Sequence, residues 1–384
     1  MRRTYWTPRL LEILLPVAAV LLAFALGGIL LLALGANPFQ SFWTLLSGAF
    51  GSVSGLTSTL AKATPLLLVG LGICISFRGG VINIGGEGQI IVGALASTAL
   101  ALALRDWPGW LLLPLTLLAG ALAGALWGGI AGLLKARLNV NEILSTVMLN
   151  AIALQIMNSL LRGLMLDPAQ IAAGTNIPQS ETLPQQVWLL KLVPRTLLHS
   201  GAILALVLAI LVYFLLWRTT IGYRIRTVGL NPSAARYAGI PVPFYVALSL
   251  TLAGAFAGLA GAVEVVGVQH RMLEGLSGGY GFSGIVAALF GKLHPLGAVP
   301  ASFLFGGLLV GADKMQRAIQ VPSALIVAIN GLVVMFVVAS DVYVRRVRRR
   351  AGKEAAAASL AESVARSPGG TAVERRAESG VTPP

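Results

Sequence analysis

Three carboxylates, Glu87, Glu142 and Glu264, stand inside or at the edge of long apolar stretches, and carboxamides accompany the first two. In GGVINIGGEGQIIVGA, Asn83, Glu87 and Gln89 sit among glycines. Asn139, Asn141 and Glu142 open another run, which continues with Asn150, Gln155 and Asn158. In an apolar medium such groups serve one of two chemistries. They hydrogen-bond a polar solute in transit, or they relay a proton or sodium ion. A carboxylate at the centre of a membrane span costs about 2.5–3.5 kcal/mol on insertion scales, so it faces a cavity or a partner. The plainer alternative has Glu87 and Glu142 capping helix starts at an interface, and Glu264 holding a structural pair. Enzymatic chemistry has no residues to carry it. His199, His270 and His294 are far apart near expected helix ends, and the sequence has no His/Asp, Cys/His or metal-spaced cluster.

The elements that must position these groups follow from composition. The chain is 56% hydrophobic and 11% charged, with mean hydropathy +0.83. Soluble domains carry about 25% charged residues, so too little polar surface is available here to cover a soluble core. The fold class is all-α, a polytopic membrane bundle. The single Cys74 lies in an apolar run, so there is no disulfide framework. The first apolar run, Leu10 to Gly35, is longer than the core of a signal peptide and reads as a retained span. A span needs about 20 mostly apolar residues. Such runs lie near 11–34, 59–77, 82–104, 109–134, 142–161, 199–217, 243–268, 295–313 and 322–344. A shorter run, 282–293, is a tilted tenth span or a half-helix that dips in. About ten crossings put both termini on one side.

Charge orients them. With a cytoplasmic amino terminus, 20 of the 28 Lys and Arg fall on cytoplasmic segments, nine of them from Arg345 onward. This agrees with the positive-inside rule. The division is a membrane domain over 1–344 and a basic, disordered tail over 345–384. The run RRVRRR would lie against anionic lipid headgroups, a better use of the net charge of +14 than nucleic acid.

Glycines are of two kinds. Those at 85, 86 and 88 weaken any helix by about 1 kcal/mol each relative to Ala, and a broken helix at membrane depth survives only where protein or a cavity satisfies it. Gly79 and Gly80 read as a turn. Gly120, Gly124, Gly128 and Gly132 recur every fourth residue and form a packing face, as do Gly254 and Gly258. LAGALAGALWGG and LAGAFAGLAGAVE share this packing chemistry and are not taken as a repeat. The tetrapeptide LSGG at 276–279 imitates an ATPase signature. However, the chain has no G-x-x-x-x-G-K-[ST] phosphate loop, and the expected topology puts LSGG outside, so the match is a decoy.

The segment 218–243, RTTIGYRIRTVGLNPSAARYAGIPVP, is bounded by two spans. Asn231 can cap a short helix there, Pro232 suits its first position, and Gly239 and Pro241 end it. GLNPSAARYAGI resembles the coupling helix of ABC importer permeases of the branched-chain amino acid, ribose and nucleoside superfamily. GGVINIGGEGQ, VNEILSTVMLN and GYGFSGIVAALFGKLHPLGAVPASFLFGG are similar to its nucleoside and simple-sugar branch. The likeness runs from about residue 60 to 340; the tail and residues 36–58 are outside it.

The resemblance implies a pair of permease subunits, related but not identical, two cytoplasmic ABC ATPase subunits or one duplicated ATPase, and an extracytoplasmic substrate-binding lipoprotein. It implies no cofactor and no catalytic residue in this chain. Gly229, Asn231, Pro232, Ala235, Arg236, Tyr237, Gly239 and Ile240 would couple to the ATPase. Asn83, Glu87, Gln89, Glu142, Asn150, Gln155 and Glu264 would line the substrate path. The rival is an ion-coupled secondary transporter, which has no use for the capped helix.

Overall fold

The computed structural model describes residues 21–22, 25–33, 35–175, 177–320, 331–332 and 335–336. The chain divides into two compact units, Leu31–Ile326 and a second made of Met1–Leu30 with Val327–Pro384. The expected tail and most of the first and last spans lie outside the described residues. Within the larger unit, the described residues form helices α1 (Pro38–Phe50), α2 (Val53–Arg78), α3 (Gly86–Ala103), α4 (Gly109–Leu138), α5 (Glu142–Leu161) and α6 (Pro168–Ala172). These are followed by α7 (Gly201–Arg218), α8 (Thr220–Leu230), α9 (Pro232–Tyr237), α10 (Val242–Glu264), α11 (Tyr280–Phe290) and α12 (Pro295–Ile319). No strand occurs among the described residues.

Seven of these, α2, α3, α4, α5, α7, α10 with the π-turn Val265–Gln269, and α12, are long and apolar enough to cross a membrane. Each coincides with one of the expected runs. Three departures have local causes. Helix α2 starts six residues before the expected run, because Ser52 accepts the Gly55 N–H and caps it there. Helix α3 starts at Gly86 instead of 82, because the stretch before it is not helical. Helix α1 occupies 38–50, which the resemblance left uncovered; Asn37 caps it through the Phe39 and Gln40 N–H groups. One face of α1 packs Leu45, Gly48 and Ala49 inward, and Phe39 and Trp43 are exposed on the other.

The core is a backbone seam between α4 and α10, which run antiparallel. Gly120 packs on Ala262 and Gly258, Gly124 on Gly258 and Gly254, Gly128 on Gly254 and Leu250, and Gly132 on Ala247. A Cβ at Gly128 would lie 3.0 Å from the Gly254 Cα, and one at Gly254 would strike the Gly124 carbonyl. The two look-alike segments are thus packed against each other. Close approach of this kind replaces the hydrophobic force that is missing between helices in lipid.

Helix α11 has 11 residues, so it is about 16 Å long, roughly half the thickness of a bilayer core. The run at 282–293 is thus helical only as far as Phe290 and is too short to cross a bilayer core as a straight helix.

The connections gather at two ends. At one, the loop end, Arg105 pairs with Glu181 at 3.4 Å and Arg271 donates to the Thr182 hydroxyl at 2.8 Å. There also the Ser180 and Leu183 N–H groups donate to the Met272 and His270 carbonyls. His270 stacks on Trp188 with centroids 3.9 Å apart. His199 beside it is fully buried; burial, then the neighbouring His270 and Lys191, push its pKa down to about 4. At the other end lie α8 and α9, with the Lys135–Glu142 ion pair at 3.0 Å and Arg224 donating to the Tyr245 hydroxyl at 3.0 Å.

Candidate translocation site at a broken helix

Helix α2 ends in a turn at Gly79 and Gly80, where Gly80 has φ +75° and rests on the Gly229 backbone. Residues 81–85 are non-helical, and α3 begins only at Gly86. Such a break leaves backbone donors and acceptors without helical partners, and in an apolar interior each must find another. The candidate residues supply them. Asn83 donates to Gln89 Oε1 at 3.0 Å, Gln89 Nε2 returns a bond to Asn83 Oδ1 at 3.3 Å, and the same oxygen accepts the Gly85 N–H at 2.9 Å. From α5, Asn150 accepts the Gly88 N–H at 2.8 Å and donates to the Ile84 carbonyl at 2.9 Å.

Glu87 faces α11. Its Oε1 accepts the Gly281 N–H at 2.9 Å and the Phe282 N–H at 3.4 Å, and Ser277 lies near its carboxylate. A negative group at a helix N-terminus meets both free N–H donors and the positive end of the dipole. Gly86 and Gly281 allow the approach: a Cβ on Gly86 would lie 3.1 Å from the Gly281 Cα. The far end of α11 reaches Arg78, which donates to the Leu293 and Lys292 carbonyls at 3.1 and 3.3 Å. Lys292 and Leu293 both have left-handed backbones, φ 56° and 53°. Non-glycine residues there cost of order 1–3 kcal/mol each and persist where the surroundings hold them. Helix α11 therefore runs from the Arg78 end to Glu87, about half the bilayer thickness away.

Four candidate path residues, Asn83, Glu87, Gln89 and Asn150, thus meet at one place. Glu142 flanks them: it pairs with Lys135, and its carbonyl accepts from Thr146, whose hydroxyl also accepts the Ile84 N–H at 3.4 Å. Gln155 is exposed further along α5. Glu264 is apart, buried toward the loop end, with a 3.5 Å bond from Gln269. Sequence reasoning missed two residues. Ser277, set aside within LSGG, lies near Glu87, and Arg78 was counted only as a loop charge. The signal available was the pair Gly278 and Gly279, both at positive φ, immediately before an apolar helix.

The coupling candidates sort by burial. The Asn231 side chain accepts the Ala234 N–H at 3.1 Å, and Pro232 opens α9. Ala235 is fully buried and Ile240 nearly so. Gly239 ends the turn at φ +74°, and Arg236 and Tyr237 are exposed, Tyr237 to 95%. Ahead of them lies α8, which the sequence reading left as loop. Gly229, near its end, packs on the Arg78 carbonyl and Gly80.

A bundle of apolar helices with a buried polar break between two of them and a short exposed helix at one end suits a membrane permease. The family described as the permease component of branched-chain amino acid transport systems matches residues 55–338, and the chain belongs to it. A guanosine ABC transporter permease protein of Bacillus subtilis is 37% identical over 333 residues, 86% of this chain and 94% of its own length. A glucose ABC transporter permease protein of Haloferax volcanii is 36% identical, covering 86% of this chain and 88% of itself. A nucleoside ABC transporter permease protein of Lactococcus lactis is 32% identical, covering 85% and 90%. No solved structure matches the chain. It is a multi-pass permease subunit of the cell membrane, and ATP hydrolysis belongs to a separate subunit.

Proposed function

We propose that this permease moves nucleosides inward through the region around Asn83, Gln89 and Asn150. The observation that carries the reading is the neutral polar break, whose one carboxylate, Glu87, is engaged by two backbone N–H donors. An uncharged solute with hydroxyls and base edges suits such a lining, since a buried charge without a counter-charge is strongly disfavoured. Gln155, exposed along α5, extends the lining, Glu142 flanks it, and Glu264 lies further along the path toward the loop end. Relatives named for guanosine and nucleosides support the same substrate class.

In this reading the bundle has about ten spans and both termini are cytoplasmic. The gathering of 105, 181 and 271 at one end and of 78, 224 and 292 at the other supports it. The α8–α9 end faces a pair of cytoplasmic ATPase subunits, with Arg236 and Tyr237 as contacts, and the loop end receives a substrate-binding lipoprotein. A second, non-identical permease completes the pore. Both Bacillus subtilis and Lactococcus lactis hold two permease proteins named for one substrate class, and all four are similar to this chain.

The test is uptake by the reconstituted complex in proteoliposomes supplied with ATP. Labelled guanosine is expected to accumulate and to be displaced by other nucleosides. Displacement by glucose alone, or preference for a charged amino acid, would make the substrate assignment wrong. Arg236→Glu is expected to abolish both uptake and substrate-stimulated ATP hydrolysis. Uptake that survives without ATP and collapses with an ion gradient would establish the secondary-transport alternative.

A further inference from the structure

Helix α11 is a short apolar helix, and both of its ends are held by charges from a single stretch of chain. Glu87 takes the N–H groups at its start, and Arg78 takes the carbonyls just past its end. These two residues bracket the break, and each sign is the one that the helix dipole favours at that end. Arg78 also sits in a stack that leads to α8. Its guanidinium lies 5.4 Å from the Trp217 ring centroid, and that of Arg226, from α8, lies 5.5 Å from the same ring. His294 packs against Trp217 at 4.8 Å. Alongside the stack there is direct backbone contact, with Gly229 of α8 against the Arg78 carbonyl and Gly80.

We propose that Arg78 and Glu87 are positioning residues that make α11 a strut between the α8–α9 segment and the polar break. A displacement of α8 would reach Arg78 through Gly229 and the Arg226–Trp217–Arg78 stack. Arg78 passes it to the carbonyls of Lys292 and Leu293, whose left-handed backbones mark a tightly held joint. The helix transmits it along its axis to Gly281, Ser277 and Glu87, where the half-helix meets the start of α3. Along its length Gly284 lies against Val69 and Gly70 of α2, and Gly291 against Gly297 of α12. The inference rests on the assignment of α8–α9 to the ATPase, and the two fail separately. Arg236→Glu tests the docking, and changes at Arg78 and Trp217 test the strut.

The experiment uses the full complex in proteoliposomes, with uptake and ATP hydrolysis measured on the same vesicles. Arg78→Gln is expected to lower solute moved per ATP by about tenfold or more, a typical span for coupling free energies, while hydrolysis continues. Arg78→Lys is expected to recover only part, since it keeps the charge but loses the two-pronged bond and the flat stacking surface. Trp217→Leu, which leaves the carbonyl bonds of Arg78 in place, is expected to uncouple in the same way and keeps the test open if Arg78→Gln does not accumulate. Spin labels at Phe282 and Trp110, both exposed, give a second readout. Their separation should change on nucleotide binding in the otherwise unaltered complex and stay fixed in the Arg78→Gln or Trp217→Leu complex. An unchanged uptake-to-hydrolysis ratio in both variants, or a nucleotide-driven displacement that persists in them, would overturn the strut.

Discussion

The α4–α10 seam and the α11 half-helix are both rich in glycine, yet they are held by different means. In the seam, backbone meets backbone at Gly124–Gly254, Gly124–Gly258 and Gly128–Gly254. The half-helix also packs Gly284 and Gly291 closely on its neighbours, but each of its ends is held in addition by a charged side chain, a carboxylate at one and a guanidinium at the other. Steric contact has no alternative arrangement of similar energy, whereas terminal hydrogen bonds can be exchanged for others at modest cost. The difference separates a scaffold from a part built to move.

The largest effect expected from breaking this contrast is at the seam. Gly254→Val drives a branched side chain into the Gly124 carbonyl and the Gly128 Cα, and the protein is expected not to accumulate in the membrane. Normal amounts on an immunoblot would contradict the tight seam. Next comes Glu87→Gln. Hydrogen bonds to a charged acceptor contribute roughly 1.5–3 kcal/mol, so uptake should fall about tenfold or more while the protein still accumulates and melts within a few degrees of the unaltered chain. If it fails to accumulate, Glu87 belongs to the scaffold and the contrast collapses.

His199 sharpens the comparison from the loop end. Its folded-state pKa, about 4, lies below the ordinary 6.5, so the unfolded chain binds the extra proton between those values. Stability is present in full above pH 6.5 and drains away as pH falls toward 4, by about 3 kcal/mol in all. Melting temperatures across that window should fall more steeply for the unaltered chain than for His199→Gln; parallel curves would remove the histidine from the account. The smallest effect is Asn231→Ala, which removes the α9 cap at about 1 kcal/mol and should reduce uptake only a few-fold in the same vesicle assay.

Much of the scaffold was legible in the sequence because its logic is local and periodic. Glycines at every fourth position announce a packing face, and Asn231-Pro232 announces a helix start. The break around Gly85 was legible too, since glycines beside Asn83 and Gln89 have no other purpose at that depth. What depended on distant partners was not legible. Ser277 lies near a carboxylate in another helix, and nothing in LSGG names that neighbour. The length of α11 looked ambiguous because an 11-residue helix is too short to carry a clear signal. Helix α8 was read as loop because its mixed sequence earns its helicity by packing Gly222, Ile225 and Val228 inward.

The four-residue spacing of the seam also fixes what the gene can tolerate there. One residue inserted between Gly120 and Gly132 would turn every glycine beyond it by about 100° around the axis of α4. The displaced glycines would be replaced at the contact line by their preceding neighbours, Ala123, Trp127 and Ala131, and the Trp127 ring has no room there. Nor can the pair slide a little: the next register in which glycine again meets glycine is four residues away, about 6 Å along the axis. The reading frame of this stretch is therefore locked to its own pitch, so that it can drift by substitution on the outer face but not by insertion or deletion.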